Sequence, residues 1–269
     1  MAIITISRGS YSKGKEIAEK VAQELGYVCL SREDILREAS EKWKIPQVKL
    51  IRAIHDAPGI LERLGYGKEQ FVVYLQATIL KHMKKESLVY HGLAGHFFVN
   101  GVTHVLKVRI LADMEDRVRL EMQRENIPAK EALRILEKDD EERRKWSKYM
   151  YGIDTWDPAA YDLVVHIKKI TVEDAVDVIC HTVTRPHFQP TAESKKIMDD
   201  LALAAEVKAT LIGFKPDIEV LADQGLVLVQ TRTSLSEEER VIEEIKKMVR
   251  EVPSVKDVQV KVHLTLDIP

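Results

Sequence analysis

The sequence predicts an α/β fold, in which a parallel β-sheet is flanked by helices, followed by a small α+β unit. A β-branched run from Ile3 to Ile6 precedes apolar residues at helical spacing from Gly14 to Leu25, and a second short strand pattern covers Tyr27 to Leu30. This strand, helix, strand order is typical of parallel sheets, because parallel neighbours need a crossover connection. A polar stretch with two prolines then separates this pattern from a different one near the C-terminus.

The first unit is predicted to span residues 1–183 and to continue the same alternation. Trp43 to Gly67 has irregular polarity and is interpreted as an insertion that covers a substrate. The other predicted elements are helices at Ser31 to Ser40, Phe71 to Lys84 and Thr171 to Cys180, strands at Ser87 to Tyr90, Val105 to Leu111 and Asp162 to Ile167, and a charged amphipathic stretch from Glu115 to Tyr149 with an interruption near Pro128.

A linker is predicted at residues 184–198 and a second unit at 199–269. Thr184 to Ser194 contains Pro186 and Pro190 and has no apolar periodicity. The second unit reads as an αββαβ module with helices at Asp199 to Leu211 and Ser236 to Glu251 and strands at Ile218 to Ala222, Leu226 to Thr231 and Val255 to Leu266. The turn Asp223-Gln224-Gly225 between two alternating runs indicates a hairpin.

Bulk properties narrow the classes of function. Of 269 residues, 45% are hydrophobic and 31% charged, and 41 basic side chains face 43 acidic ones. A near-neutral chain lacks the electrostatic footprint of a nucleic-acid binder, so no nucleic-acid partner is predicted. No apolar run reaches roughly 18 residues, which predicts no membrane insertion. Cys29 and Cys180 belong to no metal or redox motif, as is typical of a reduced, cytoplasmic protein.

The loop between the first strand and the first helix matches GxxxxGK, the P-loop signature, in the strand-to-helix context that this signature requires. Glycines let backbone N–H groups turn toward an anion, the helix adds its positive N-terminal end, and a lysine adds a full charge. The predicted nucleotide-binding residues here are Gly9, Ser10, Tyr11, Ser12, Lys13, Gly14, Lys15 and Glu16. Glu16 replaces the Ser or Thr that ligates Mg²⁺ in the strict motif. The alternative is a glycine-bearing turn that binds nothing.

Several blocks, in the right order over nearly all of residues 1–182, resemble the cytidylate-kinase-like family. They are Ile4-Thr-Ile-Ser-Arg8, Gly14-Lys-Glu-Ile-Ala18, Leu25-Gly-Tyr27, Val105 to Leu111, Asp116-Arg-Val-Arg119, Arg124-Glu125, Asp139 to Arg144, Tyr149 to Asp154, Asp157-Pro158 and Tyr161-Asp-Leu163. Glu16 is similar to the family's own residue, whereas Tyr11 and Lys13 stand where the family commonly has glycine.

The resemblance implies phosphoryl transfer with ATP and Mg²⁺ as cofactors. It implies that Lys15 contacts the donor phosphates and that Arg143 and Arg144, in a segment similar to the family's lid, act as catalytic cations. One arginine of the pair Arg117 and Arg119 is expected to face the nucleotide, and Arg117 is the candidate. The alternative is that these arginines belong to a solvated helix face.

For the acceptor, the resemblance implies binding by Arg37 after the second strand, with Asp34 nearby, and the alternative is a surface arginine. His91 and Gly92 follow the third strand and are the other candidate acceptor residues; the alternative for His91 is a packed histidine. Leu93 stands where the family generally has arginine. Leucine cannot hydrogen-bond a pyrimidine or pair with a phosphate, so the identity of the acceptor is left open. His91 and His96 lack companions at ligand spacing, and no metal site is predicted.

Two functions follow from these observations. The first is an ATP-dependent kinase of a nucleoside monophosphate, CMP or dCMP by resemblance, with nucleotides as its partners. The second is a non-catalytic nucleotide-binding regulator. The second unit resembles a BON domain and is interpreted as a sensor or dimerisation module, so a homo-oligomer is left open.

Overall fold

The structure, a computed structural model, describes residues 1–55, 67–92 and 95–264, with the backbone alone at 52–55 and 67–69. The strands are β1 (Ile3–Arg8), β2 (Val28–Ser31), β3 (Leu88–His91), β4 (Val105–Ala112), β5 (Leu163–Ile167), β6 (Glu219–Asp223), β7 (Leu226–Thr233) and β8 (Asp257–Leu264). The helices are α1 (Gly14–Leu25), α2 (Arg32–Trp43), α3 (Gln47–His55), α4 (Gly67–Met83), α5 (Met114–Glu125), α6 (Ala129–Tyr151), α7 (Val172–Val183), α8 (Ala192–Leu211) and α9 (Glu238–Arg250).

The first five strands form one parallel sheet in the order β2-β3-β1-β4-β5. Strand β1 lies at its centre, and Ile3, Ile4 and Ile6 are fully or almost fully buried because helices cover both faces. The predicted parallel α/β fold is thereby confirmed. All carboxyl ends of these strands meet at one edge, which is where ligands bind in open α/β sheets.

The two faces of this sheet have separate cores. Ile4 and Ile6 pack with Ile17 of α1 and Ile179 of α7, whereas Tyr90 lies in a cluster on the other side. That second cluster continues through α4 into α8 and the small sheet.

The predicted αββαβ order of the second unit is confirmed as α8, β6, β7, α9 and β8. Strands β6 and β7 are antiparallel, with Asp223 opposite Leu226, so that Gln224 and Gly225 form a two-residue turn. Both turn residues have positive φ, 51° and 92°, as a primed hairpin turn requires. Strand β8 pairs parallel to β7. The likeness to a BON domain stays a prediction.

Two stretches differ from expectation. Gln47–His55 is helical within the stretch predicted to be irregular, because Pro46 suits a helix start and the buried Leu50 anchors the helix; residues 56–66 lie outside the described part. Helix α8 begins at Ala192, inside the predicted linker, because Thr191 caps it through a hydrogen bond from the Ser194 N–H. Among the residues that the structure describes, no helix combines the length and apolarity needed to cross a membrane.

Candidate phosphate-binding site

The predicted phosphate loop connects β1 to α1 at the carboxyl edge of the sheet. Helix α1 starts at Gly14, and its N-cap residue, Lys13, makes no side-chain capping hydrogen bond. The first N–H groups of a helix have no partner within the helix, and they carry its positive dipole end. An uncapped start behind a loop is therefore suited to bind an anion.

Two loop residues have backbone conformations that favour glycine. Tyr11 and Lys13 have φ values of 57° and 64°, in the left-handed region. A Cβ atom in this region crowds the following carbonyl oxygen, at a cost of roughly 1–2 kcal/mol. Glycine adopts this conformation without that cost, whereas this chain adopts it with two larger residues.

Replacing Lys13 with glycine should therefore raise the free energy of unfolding by about 0.5–1 kcal/mol, since the relieved strain exceeds the added entropy of glycine in the unfolded chain. Lys20→Gly, in the regular part of α1, is the matched control and should lower it by about 1 kcal/mol. Chemical denaturation measures both. Equal losses in the two variants would show that the Lys13 backbone is unstrained.

Glycine is required at Gly14 for space. A Cβ there would lie 2.6 Å from Cδ of Arg8, the last residue of β1. At Gly9 a Cβ would lie 3.3 Å from Cζ of Arg117. The loop is thus closed between two arginines, one from β1 and one from α5.

Three arginines from α5 and α6 hold the loop. Arg117 donates from Nε to the Ser10 carbonyl oxygen at 2.8 Å and from both Nη atoms to Asp140 of α6 at 2.7 and 3.0 Å. Arg143 donates to Ser10 Oγ at 2.8 Å, and Arg124 donates to the Tyr11 hydroxyl at 2.7 Å. Within the loop, Ser12 Oγ donates a hydrogen bond to the Gly9 carbonyl oxygen at 3.0 Å.

Beside the loop lies a pocket of about 690 Å³, here called the phosphate-loop pocket. Its charged lining residues are Arg8, Lys13, Lys15, Glu16, Glu19, Arg32, Glu33, Glu121, Arg124, Glu125, Asp139 and Arg143. The Arg8 Nε atom is buried without a hydrogen-bond partner among the described residues.

The pocket is lined by six basic and six acidic side chains, and three of its arginines, Arg8, Arg32 and Arg143, lie close enough to repel one another. Burial lowers the pKa of Arg8 and of Arg143, and Arg32 lowers each of them further by repulsion. Glu33 pairs with Arg32 at 2.8 Å, and Asp139 lies 3.8 Å from Arg143. Arginines lie close together here, and one of them, Arg8, has a buried Nε–H group without a partner among the described residues. This combination indicates a place for an anionic ligand.

Lys15 and Glu16 point into solvent at the pocket rim. The Lys15 side chain is 66% exposed, and its Nζ lies 3.7 Å from Glu19. Glu16 lies 3.8 Å from Lys13 and 3.4 Å from Lys20. Weak exposed pairs of this kind leave Lys15 able to turn toward a bound phosphate.

A second cavity of about 460 Å³ lies on the other side of Gly9 and Ser12. Its walls are largely apolar or aromatic and include Ile110, Trp156 and Tyr161. The loop is therefore flanked by a pocket lined by charged side chains of both signs and by a largely apolar one.

Comparison with known proteins decides the family. The model of the cytidylate kinase-like family matches residues 3–169. The chain belongs to the cytidylate kinase-like family. It is 27% identical over 183 residues to a cytidylate kinase of Archaeoglobus fulgidus, covering 67% of this chain and 93% of that protein. A cytidylate kinase of Sulfolobus acidocaldarius is 23% identical over 187 residues, 69% of this chain and 96% of that protein.

A solved structure shares the fold of this cytidylate kinase-like chain. An uncharacterized protein from Eubacterium ventriosum superposes with a TM-score of 0.55 at 22% identity, over 69% of this chain and all of that one. The family match ends at residue 169, so the second unit lies outside it. The family assignment supports a kinase that binds nucleotides.

The structure places the predicted acceptor residues apart from the phosphate-loop pocket. Asp34 forms a capping box with Ser31 at the start of α2, accepting from its N–H and hydroxyl at 3.1 and 2.6 Å. Arg37 is 64% exposed and pairs with Asp34 at 2.7 Å. Neither lines the pocket, because α2 presents Arg32 and Glu33 to it instead.

His91 and Gly92 do not line the phosphate-loop pocket either. His91 is buried, its Nδ1 has no partner among the described residues, and burial together with Arg8 lowers its pKa. A Cβ on Gly92 would lie 2.8 Å from Cβ of Arg32, so this glycine lets Arg32 approach β3. Leu93 lies outside the described residues.

The two predicted lid arginines diverge. Arg143 reaches the loop, but Arg144 forms a two-pronged pair with Asp154, at 2.9 and 2.7 Å, and lies over the Trp156 ring at 4.3 Å. The hydrogen bond from Arg144 holds the pKa of Asp154 well below its ordinary value. Successive helix positions differ by about 100°, so only one of the pair can face the loop.

Sequence reasoning missed Arg8, Arg32 and Arg124 as pocket residues. The position of Arg8 could have indicated that it lines the pocket, because it is the last strand residue before the loop. Arg32 follows β2 directly and so also sits at the carboxyl edge. Arg124 belongs to the block Arg124-Glu125 that resembles the family, but no local pattern placed it beside the loop.

Proposed function

We propose that this chain is an ATP- and Mg²⁺-dependent kinase that phosphorylates a nucleoside monophosphate, with CMP or dCMP as the acceptor. The observation that carries the proposal is the convergence of Arg8, Arg32 and Arg143 beside an uncapped, loop-covered helix start. Phosphoryl transfer requires a protein mainly to align two phosphates and to neutralise their charge. The arginines that line this pocket would supply such charge.

In this proposal the donor phosphates lie at the start of α1. Backbone N–H groups there and Lys15 would bind them, and Arg143, already bonded to Ser10, would contact the transferring group. Because Arg143 comes from α6 and Lys15 from α1, the two cations approach the phosphates from different elements.

The acceptor phosphate would lie toward Arg32 and Arg8. Both arginines lie at the carboxyl edge of the sheet, Arg8 at the end of β1 and Arg32 at the start of α2, and both line the pocket. The unpartnered Nε of Arg8 supplies a donor that lacks an acceptor without a ligand. This assignment replaces Arg37 with Arg32 as the acceptor-side cation.

The pocket also fits the chemistry of Mg²⁺. This ion keeps several waters and binds to one or two carboxylates together with substrate phosphates. Glu16 and Asp139 line the pocket and supply carboxylate oxygens, so they are the residues that would hold it. Bound Mg²⁺ would neutralise phosphate charge.

An assay of ADP release with ATP, Mg²⁺ and each of CMP, dCMP, UMP and AMP tests the function. We expect turnover with a pyrimidine monophosphate. ATP binding without turnover on any acceptor would contradict the kinase and would leave a nucleotide-binding regulator.

Arg32→Ala tests the acceptor assignment. Losing a charge-assisted contact of about 1.5–3 kcal/mol should raise the KM for the acceptor by roughly 10- to 100-fold, while the KM for ATP stays within about twofold. Arg37→Ala, which removes an exposed arginine from the same helix, is the control and should change neither constant. A larger effect from Arg37 than from Arg32 would place the acceptor on the outer side of α2.

A further inference from the structure

A cavity of about 600 Å³ lies where the second unit meets α4 and the end of α6, and it is here called the junction cavity. Its lining residues come from both units and include Gln70 and Gln76 of α4, Tyr149 and Tyr151 of α6, and Lys208 of α8. It shares no described lining residue with the phosphate-loop pocket. It is therefore a separate site, of a volume typical of pockets for small molecules.

The charges that line the junction cavity favour an anion. Lys208 and Arg232 line it, and their side chains form no ion pair with any described residue. The carboxylate of Asp217 is already engaged, since it accepts from the Arg232 N–H at 3.1 Å and lies 3.9 Å from Lys215. Glu219 is the remaining carboxylate, so two unpaired cations face one unpaired anion.

The neutral part of the lining suits a flat ring with polar edges. Gln70, Gln76 and Gln230 offer amide donors and acceptors, and the partly exposed Tyr149 offers an aromatic face. Ile212 and other apolar side chains complete the walls. The Tyr151 hydroxyl is buried without a hydrogen-bond partner among the described residues.

We propose that the junction cavity binds a nucleotide in addition to those bound at the phosphate loop. Lys208 and Arg232 would bind its phosphate, Glu219 would accept from ribose hydroxyls, and the glutamine amides would bind the edge of its base. A nucleotide there would contact the second unit, α4 and α6 at once. Helix α6 also carries Arg143, so the two sites share one rigid element.

Calorimetric titration of the full chain with ADP tests this proposal. In a Lys15→Ala/Arg32→Ala background, which weakens the phosphate-loop pocket, we expect one class of ADP site to persist. Adding Lys208→Gln/Arg232→Gln to that background should weaken the persisting class at least tenfold. Arg240→Gln/Lys246→Gln, which removes two cations from α9, is the matched control and should leave it unchanged.

Three further measurements make the outcome decisive. Unchanged denaturation midpoints would show that the glutamine variants fold. Inorganic phosphate and ribose 5-phosphate, titrated in the same way, should bind at least tenfold more weakly than ADP; equal binding would overturn recognition of a base. Loss of every ADP class in the Lys15→Ala/Arg32→Ala background would overturn the second site. Turnover of the wild-type chain with ATP and CMP tests the kinase function separately.

Discussion

Lys15→Ala should lower kcat/KM for the phosphoryl transfer by roughly 100- to 1000-fold and should weaken ATP binding. Removing one charge that contacts the transferring group in a transition state commonly has an effect of this size. Lys15 is the first residue after Gly14, so its backbone lies beside the N–H groups that would bind the same phosphates, and its exposed side chain can turn toward them. Steady-state kinetics with varied ATP, together with direct titration of ATP, measures the two effects.

Lys20→Ala is the matched control for Lys15→Ala. Lys20 lies five residues further along α1 and is held by Glu173 at 2.6 Å and Glu16 at 3.4 Å, away from the loop. We expect its kinetic constants to stay within about twofold of the wild type. Unchanged ATP affinity in Lys15→Ala would mean that the donor phosphates do not lie at this loop.

The features of the fold that depend on local sequence patterns could be predicted. The strand, loop and helix from Ile3 to Leu25 were found because β-branched residues, loop glycines and helical periodicity all act over a few residues. The parallel sheet followed from the order of those elements. The family resemblance was similarly carried by short blocks, and the family match over residues 3–169 bears it out.

The orientation of individual arginines could not be predicted in this way. Arg143 and Arg144 are neighbours in sequence, and only the packing of α6 decides that the first meets Ser10 and the second meets Asp154. Likewise, Arg32 and Arg37 both belong to α2, but Arg37 forms an exposed ion pair with Asp34 and does not line the pocket. Tertiary contacts made these choices, and a helical pattern alone does not contain them.

The start of α8 was missed for a different reason. Thr191 and Ser194 were interpreted as polar linker residues, yet their hydroxyls form the capping box that begins the helix. Ser and Thr favour both loops and helix starts, so composition does not distinguish the two. The apolar residues that decide the matter, such as Met198, are buried against the first unit rather than within the second unit alone.

Among the substitutions proposed here, Arg117→Ala should have the largest effect on stability: it should lower the free energy of unfolding by about 3 kcal/mol. Its guanidinium is almost fully buried, and it joins α5 to Asp140 of α6 and to the Ser10 carbonyl oxygen. Removing it would leave the Asp140 carboxylate, itself largely buried, without its bidentate partner. Arg119→Ala is the control, because Arg119 is 69% exposed and pairs only with Asp116 among the described residues, and it should change stability by less than about 0.5 kcal/mol.

The same variant tests whether the arginine shapes the loop as well as supporting the fold. Arg117 packs against Gly9, so its loss should widen the loop and raise the KM for ATP under conditions where the variant is still folded. Once Arg117 is lost, Asp140 keeps only a long ion pair with Arg143, at 3.9 Å. Arg117→Ala/Asp140→Asn should therefore recover part of the lost stability, because this poorly paired charge is removed, but should not recover the KM, because the bond to Ser10 is still missing. Denaturation curves and ATP kinetics on the three variants separate the two effects; joint recovery of stability and KM would show that Arg117 acts on the loop only through Asp140.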